Sequence, residues 1–238
     1  MQNLYLMNAA PFLEETVAQD ALSLVEPARR ERIMQIRDNK NRARSLAAGV
    51  LLCYAVNLER KVSKNGSALC VTPADGVQVL ASLTEAKADG DFRIPITEPL
   101  TNGKPYFKDR QGMFFNLSHS GEYVACALAD CEIGVDIQQY RKNIKEGVLK
   151  KVLHEKEKEE YQNCTEEEKE GLFYRIWAAK EAYAKYTGEG LAVDFRRLCA
   201  DFFIGEITDD RTGKKCRLQI WEKLPGYAVA VVNERKII

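Results

Sequence analysis

The chain has 238 residues, 45% hydrophobic and 29% charged, enough for one large domain or two small ones with a well-buried core. Its 35 basic and 35 acidic residues cancel, which argues against a general nucleic-acid or membrane binder and leaves room only for a local basic patch. No apolar run reaches bilayer-spanning length, and the opening MQNLYLMNAAPFLEE lacks the basic region of a signal peptide. Seven cysteines without a CxxC pair indicate neither a disulfide framework nor a zinc ribbon, so a reduced, cytoplasmic protein is expected.

Residues 1–12 predict an edge strand. Residues 13–38 predict helix, with Pro27 starting a new helix rather than interrupting one. Asn41 to Glu59 is a strong Ala- and Leu-rich helix with Arg37, Lys40, Arg42 and Arg44 clustered at its start. Taken alone, that cluster is an ordinary solvated basic face. Residues 60–98 are punctuated by Gly, Pro and Asp and are expected to form an elaborated loop with short strands. Asn102-Gly103 is a turn signal, and Gly103-Lys104-Pro105 presents a lysine on a stiffened segment. Residues 113–138 are the clearest β region: Phe114, Phe115 and Leu117 lead into a Ser-His-Ser-Gly turn. Tyr123 to Ala129 then reads as a central strand buried on both faces, followed by Ile133 to Ile137. Val148, Leu149, Val152 and Leu153 give a helix with one buried stripe, and the Glu/Lys excess beyond Glu155 reads as its wet face and a following loop. Phe173 to Leu191 has the spacing and stop signal of one helix. Asp194 to Phe203, Lys215 to Trp221 and Tyr227 to Val232 read as strands, with a Pro225-Gly226 turn between the last two.

An internal repeat is visible. RSLAAGVLLCY (Arg44 to Tyr54) lies over RIWAAKEAYAKY (Arg175 to Tyr186), and GEYVACAL resembles GYAVAVVN. Each half then has a long helix followed later by a strand hairpin, which predicts two similar α+β halves facing each other. Where the second helix carries Lys180 and Glu181, the first carries Gly49 and Val50.

On a helix, Trp177, Glu181 and Lys185 are spaced i, i+4, i+8 and share a face. A lone Glu–Lys pair of that kind ordinarily contributes only ~0.2–0.5 kcal/mol. Asp136 changes the weighing, because an acid between Val135 and Ile137 in an apolar strand needs a partner. Two carboxylates brought together repel unless a cation sits between them, and magnesium takes one or two carboxylates plus phosphate oxygens and water. Lys185, Lys104 and His119 would neutralise phosphates, which points to phospho-group transfer driven by positioning and charge neutralisation. Ser118 to Gly121 offers hydroxyls and backbone N–H groups for a phosphate. Ser118 and His119 as nucleophile and base are disfavoured, because chain neighbours rarely point at each other.

The blocks GKPYF, FNLSHSGEYVACAL, GVDIQ and FYRIWAAKEAYAKYTGEGL stand in order. Together they resemble the 4'-phosphopantetheinyl transferase family, of the large monomeric pseudo-dimeric type that includes the surfactin-synthetase-activating enzyme. The resemblance is strong over Lys104 to Leu191 and looser over the N-terminal helix. It implies an α+β fold of two similar subdomains, each a small mainly antiparallel sheet packed on a long helix, related by a pseudo-twofold. Residues 1–132 would form the coenzyme-side subdomain and 133–238 the catalytic one. The implied reaction moves the phosphopantetheine arm of coenzyme A to a serine of an apo acyl or peptidyl carrier protein, with Mg2+, releasing 3',5'-ADP. Asp136 and Glu181 match the family's magnesium acids, and Lys185 matches the lysine near the pyrophosphate, so these three are the implied catalytic set. Ser118, His119, Lys104, Arg44 and Ser45 match coenzyme contacts, with Arg37 and Lys40 at the 3'-phosphate. Lys180, beside Glu181, goes with the coenzyme set. Gln138 stands where many members carry an acid, leaving a two-carboxylate site that the amide completes directly or through water. The carrier is expected beside the Val148 to Leu153 helix. A monomer is implied, and neither nucleic acid nor membrane as partner. A non-catalytic coenzyme A or nucleotide-binding module is the alternative; Gln138 favours it, and the presence of Asp136, Glu181 and Lys185 speaks against it.

Overall fold

A computed structural model describes residues 2–61, 69–109 and 112–234. The chain divides into two compact units, one of Met1–Leu100 with Pro105–Asp130, the other of Thr101–Lys104 with Cys131–Ile238. Residues 62–68, inside the stretch read as a loop, lie outside the described residues. Among the described residues no helix is long and apolar enough to cross a membrane.

The first unit begins with β1 (Gln2–Asn8), α1 (Glu15–Leu22), α2 (Pro27–Met34) and the 23-residue α3 (Asn39–Lys61). Pro27 does start its own helix, where a missing N–H costs nothing. Asp38 holds the start of α3, its carboxylate accepting the Asn41 N–H at 2.7 Å. Next come β2 (Leu69–Ala74), α4 (Gly76–Ala88), β3 (Thr97–Pro99), β4 (Pro105–Phe107), β5 (Phe114–Ser120) and β6 (Tyr123–Ala129).

The sheet order is β2-β1-β6-β5, with β1–β2 parallel and the other pairs antiparallel. The expected edge strand is therefore an inner one: Leu4, Tyr5, Leu6 and Met7 are all buried, and both flanks of β1 are paired. β6 is central and buried as expected, and α3 packs across it. Two further expectations are corrected. The segment after β2 folds as helix α4 rather than as short strands, because Asp75 is an N-cap, accepting the N–H groups of Val77 and Gln78 at 3.0 Å. Ser118, His119 and Ser120 lie in strand β5, and the turn falls on Gly121, at φ 56°, and Glu122.

The second unit contains β7 (Ile133–Gln139), α5 (Glu146–Val152), α6 (Glu155–Asn163) and α7 (Glu166–Thr187). These are followed by β8 (Leu198–Asp201), β9 (Glu206–Asp209), β10 (Lys214–Trp221) and β11 (Tyr227–Glu234). The sheet is fully antiparallel in the order β7-β11-β10-β9-β8, and α7 lies on β7 and β11. The charged stretch after Glu155 is not a loop but α6 and the first turn of α7. Thr165 and Glu168 form a capping box there, and Glu166, Glu167 and Glu168 suit the positive end of the helix dipole. The helix stops at Gly188, whose φ of 75° is the left-handed conformation glycine adopts cheaply. Each unit thus sets a mainly antiparallel sheet against one long helix.

Gly134 on β7 sets the spacing of the second unit. A Cβ there would stand 2.0 Å from the Ala182 carbonyl oxygen and 2.6 Å from the Tyr186 nitrogen, so strand and helix touch backbone to backbone. Gly134→Ala must push α7 off the sheet. The expected cost is about 1–3 kcal/mol, read as a lower urea midpoint at unchanged slope.

Candidate active site

Side chains alternate along a strand, so Gly134, Asp136 and Gln138 share the face of β7 that meets α7. Asp136 is 3% exposed. Lys185 of α7 reaches it, Nζ donating to Asp136 Oδ1 at 2.6 Å and to the Val135 carbonyl at 3.1 Å. Gln138 Nε2 donates to Asp136 Oδ2 at 2.7 Å. One turn before Lys185, Glu181 accepts the Trp177 indole N–H at 3.3 Å, and Trp177 is set edge-on against Phe173 at 5.3 Å. The predicted i, i+4, i+8 face is therefore real, and Trp177 ties Glu181 to it.

Burial pushes the Glu181 carboxyl above its ordinary range, and the negative charge of Asp136 adds to the push against Lys185 and the Trp177 N–H. The two acids are close enough to repel, and their carboxylates, like the Gln138 amide oxygen, are hard-oxygen donors. That chemistry fits magnesium, which needs only one or two carboxylates from the protein. Among the described residues no group of three or more His, Cys, Asp or Glu is placed to hold a metal, so any site here has two acids at its centre.

Two lysines assigned to the coenzyme sit elsewhere. Lys180 is fully buried: Nζ donates to Val152 O at 2.7 Å, to Phe195 O at 2.9 Å and to the Glu157 carboxylate. Its three donors are used inside the unit. Glu157, buried in turn, also accepts the Ala200 and His154 N–H groups at 2.9 and 2.8 Å. Glu157 was missed in the sequence because its neighbours are all charged; the available signal was Lys180 itself, an ammonium among Ala178, Ala179 and Ala182. Lys104 donates to Glu132 at 2.5 Å and to Tyr186 O at 2.9 Å, closing the C-terminal end of α7. Gly134, which sets the approach of β7 to α7, was the other position missed.

In the first unit, Arg37 and Lys40 are exposed beside the start of α3. Arg44 and Ser45 are half-buried, and Arg44 Nη1 donates to Gly121 O at 3.0 Å, bracing the β5–β6 turn. On β5, Ser118 is buried and His119 exposed.

A strand acid paired with a lysine thus lies close enough to a helix acid for their charges to interact. A family model described as the 4'-phosphopantetheinyl transferase superfamily matches residues 132–232, the segment running from β7 through β11. The 4'-phosphopantetheinyl transferase Sfp of Bacillus subtilis is 26% identical over 215 residues, covering 88% of this chain and 82% of that protein. The 4'-phosphopantetheinyl transferase psf-1 of Bacillus pumilus is 28% identical over 148 residues, 59% of this chain and 61% of the relative. The 4'-phosphopantetheinyl transferase ffp of Bacillus subtilis is 32% identical over 138 residues, 56% of this chain and 60% of the relative. Residues 132–232 thus match the 4'-phosphopantetheinyl transferase superfamily, a family of transferase enzymes, and the chain is similar to such transferases over most of its length.

Lys180→Met leaves the Glu157 carboxylate buried without its cation, and a loss of about 3–5 kcal/mol is expected in denaturant unfolding. Adding Glu157→Gln should recover at least half of it. A coenzyme role for Lys180 would instead give a stable single variant with lost coenzyme affinity.

Proposed function

We propose that the chain moves the 4'-phosphopantetheine arm of coenzyme A to a serine of an apo acyl or peptidyl carrier protein, with Mg2+, releasing 3',5'-ADP. The observation that carries this is the convergence of Asp136, Glu181 and Lys185 within the segment that matches the family. The serine oxygen bonds to the phosphorus bearing pantetheine, and the pyrophosphate P–O bond breaks toward 3',5'-ADP.

Asp136 and Glu181 would hold the magnesium ion, with Gln138 completing the set directly or through water. When bound, the ion supplies charge neutralisation at the pyrophosphate. Glu181, whose proton affinity is raised, accepts the serine proton directly or through water. The Lys185 ammonium meets the charge that develops on the leaving phosphate. In the first unit we propose coenzyme contacts from Arg37 and Lys40, from Arg44 and Ser45, and from Ser118 and His119. Lys104 and Lys180 are left out, since their ammonium groups are engaged by Glu132, Tyr186 and Glu157. The apolar stripe of α5 is not offered as the carrier's dock, because Val152 and Leu153 are buried in the unit's own core. A reduced cytoplasmic setting and a monomer are part of the same proposal.

The test is to mix the protein with coenzyme A, Mg2+ and an apo carrier protein and weigh the carrier. A gain equal to phosphopantetheine is expected. Glu181→Gln and Asp136→Ala should fold and lose transfer by about 100-fold or more; near-normal transfer in either removes the assignment. Gln138→Glu replaces the N–H donor on Asp136 by a third acid and should lower the Mg2+ concentration giving half-maximal transfer.

A further inference from the structure

We propose that Lys185 is the resident counter-ion of Asp136 and that a divalent cation enters the acid pair in competition with its ammonium. The inference rests on the transferase reading of this site. Asp136 is all but excluded from water, between Val135 and Ile137, and a carboxylate there is costly without compensation. Both of its oxygens are engaged from within the unit: Lys185 holds Oδ1 at 2.6 Å and Gln138 holds Oδ2 at 2.7 Å. Each oxygen keeps a further lone pair, so a cation can reach this carboxylate, but it does so within a few ångströms of both donors. Gln138 is neutral. Lys185 carries the full positive charge that a second cation would meet, so the two compete by Coulomb's law over a few ångströms.

The geometry leaves the ammonium a way out. The Lys185 side chain is 28% exposed, and Nζ keeps a second partner in the Val135 carbonyl at 3.1 Å. Lys180, five residues earlier on the same helix, has no such route, being wholly enclosed by Glu157, Val152 and Phe195. The two lysines thus differ in kind: one is a fixed bolt, the other a charge that can be exchanged. Once displaced, the Lys185 ammonium remains beside the cation and is released toward a phosphate oxygen. Cation and phosphate binding then reinforce each other, as linkage between two sites requires.

Mn2+ is the probe, titrated into the metal-free chain and followed by electron paramagnetic resonance of the free ion. Lys185→Met should bind Mn2+ about tenfold more tightly than wild type, within the range usual for coupled sites. The gain should persist in 1 M KCl, where the screening length is about 3 Å and a field acting through solvent is lost. Lys185→Arg, which keeps the charge, should stay near wild type. If Lys185→Met does not fold, Lys185→Gln takes its place in the same comparison. On wild type, Mg2+ should speed acylation of the Lys185 amine, read by peptide mass. Equal or weaker Mn2+ binding by the neutral variant overturns the proposal, as does labelling that ignores Mg2+. Wild type that transfers phosphopantetheine while failing either measurement overturns this inference alone. Wild type that neither binds Mn2+ nor transfers overturns the transferase reading with it.

Discussion

The contact between β7 and α7 at Gly134 governs the geometry of the acid pair in the second unit. With the Ala182 carbonyl oxygen 2.0 Å from where a side chain would begin, the strand and the helix have no layer of side chains between them. Two periods then do the rest. Two residues along the strand the same face carries Asp136, and along the helix one face carries Trp177, Glu181 and Lys185. The hydrogen bonds from Lys185 to Val135 and Asp136 exist because the two backbones are this close. A side chain at position 134 would move the two acids apart and weaken the interaction of their charges.

Three lysines of the second unit show how partners, not residue type, decide a role. Lys104 closes the end of α7 through Tyr186 O and Glu132. Lys180 joins α5, α6 and the segment before β8 through Val152, Glu157 and Phe195. Lys185 faces Asp136 and is partly open to water. Their side chains are chemically identical, and their surroundings separate a helix cap, a buried strut and a partly exposed counter-ion.

The long helices, the central strand β6 and the hairpin of β10 and β11 were legible because their apolar patterns are long and their stops are glycines or a Pro-Gly turn. The position of β1 within its sheet was not, since strand order is set by packing that no local pattern records. Helix α4 was hidden because Asp75-Gly76 reads equally as a turn and as a cap. Helix α6 was hidden by charge: only Glu157 and Tyr161 of its nine residues have a role in packing. The acid pair was legible because an acid in an apolar strand demands a partner. Lys180 misled for the matching reason, its partner lying 23 residues upstream in a segment that looks entirely wet.

The buried Lys180 beside Glu181 also acts as an index mark on α7. Successive residues of a helix are turned by about 100° from one another. While Lys180 is locked to Glu157, the rotation of the helix about its own axis is set, and Glu181 faces β7 as a result. One residue inserted between Phe173 and Trp177 would leave this lock and the Gly134 contact intact but turn Phe173 and the start of the helix out of their places. One inserted between Lys180 and Lys185 would break the agreement between lock and acid pair. The second half of α7 is therefore fixed in length by two contacts that must stay in phase.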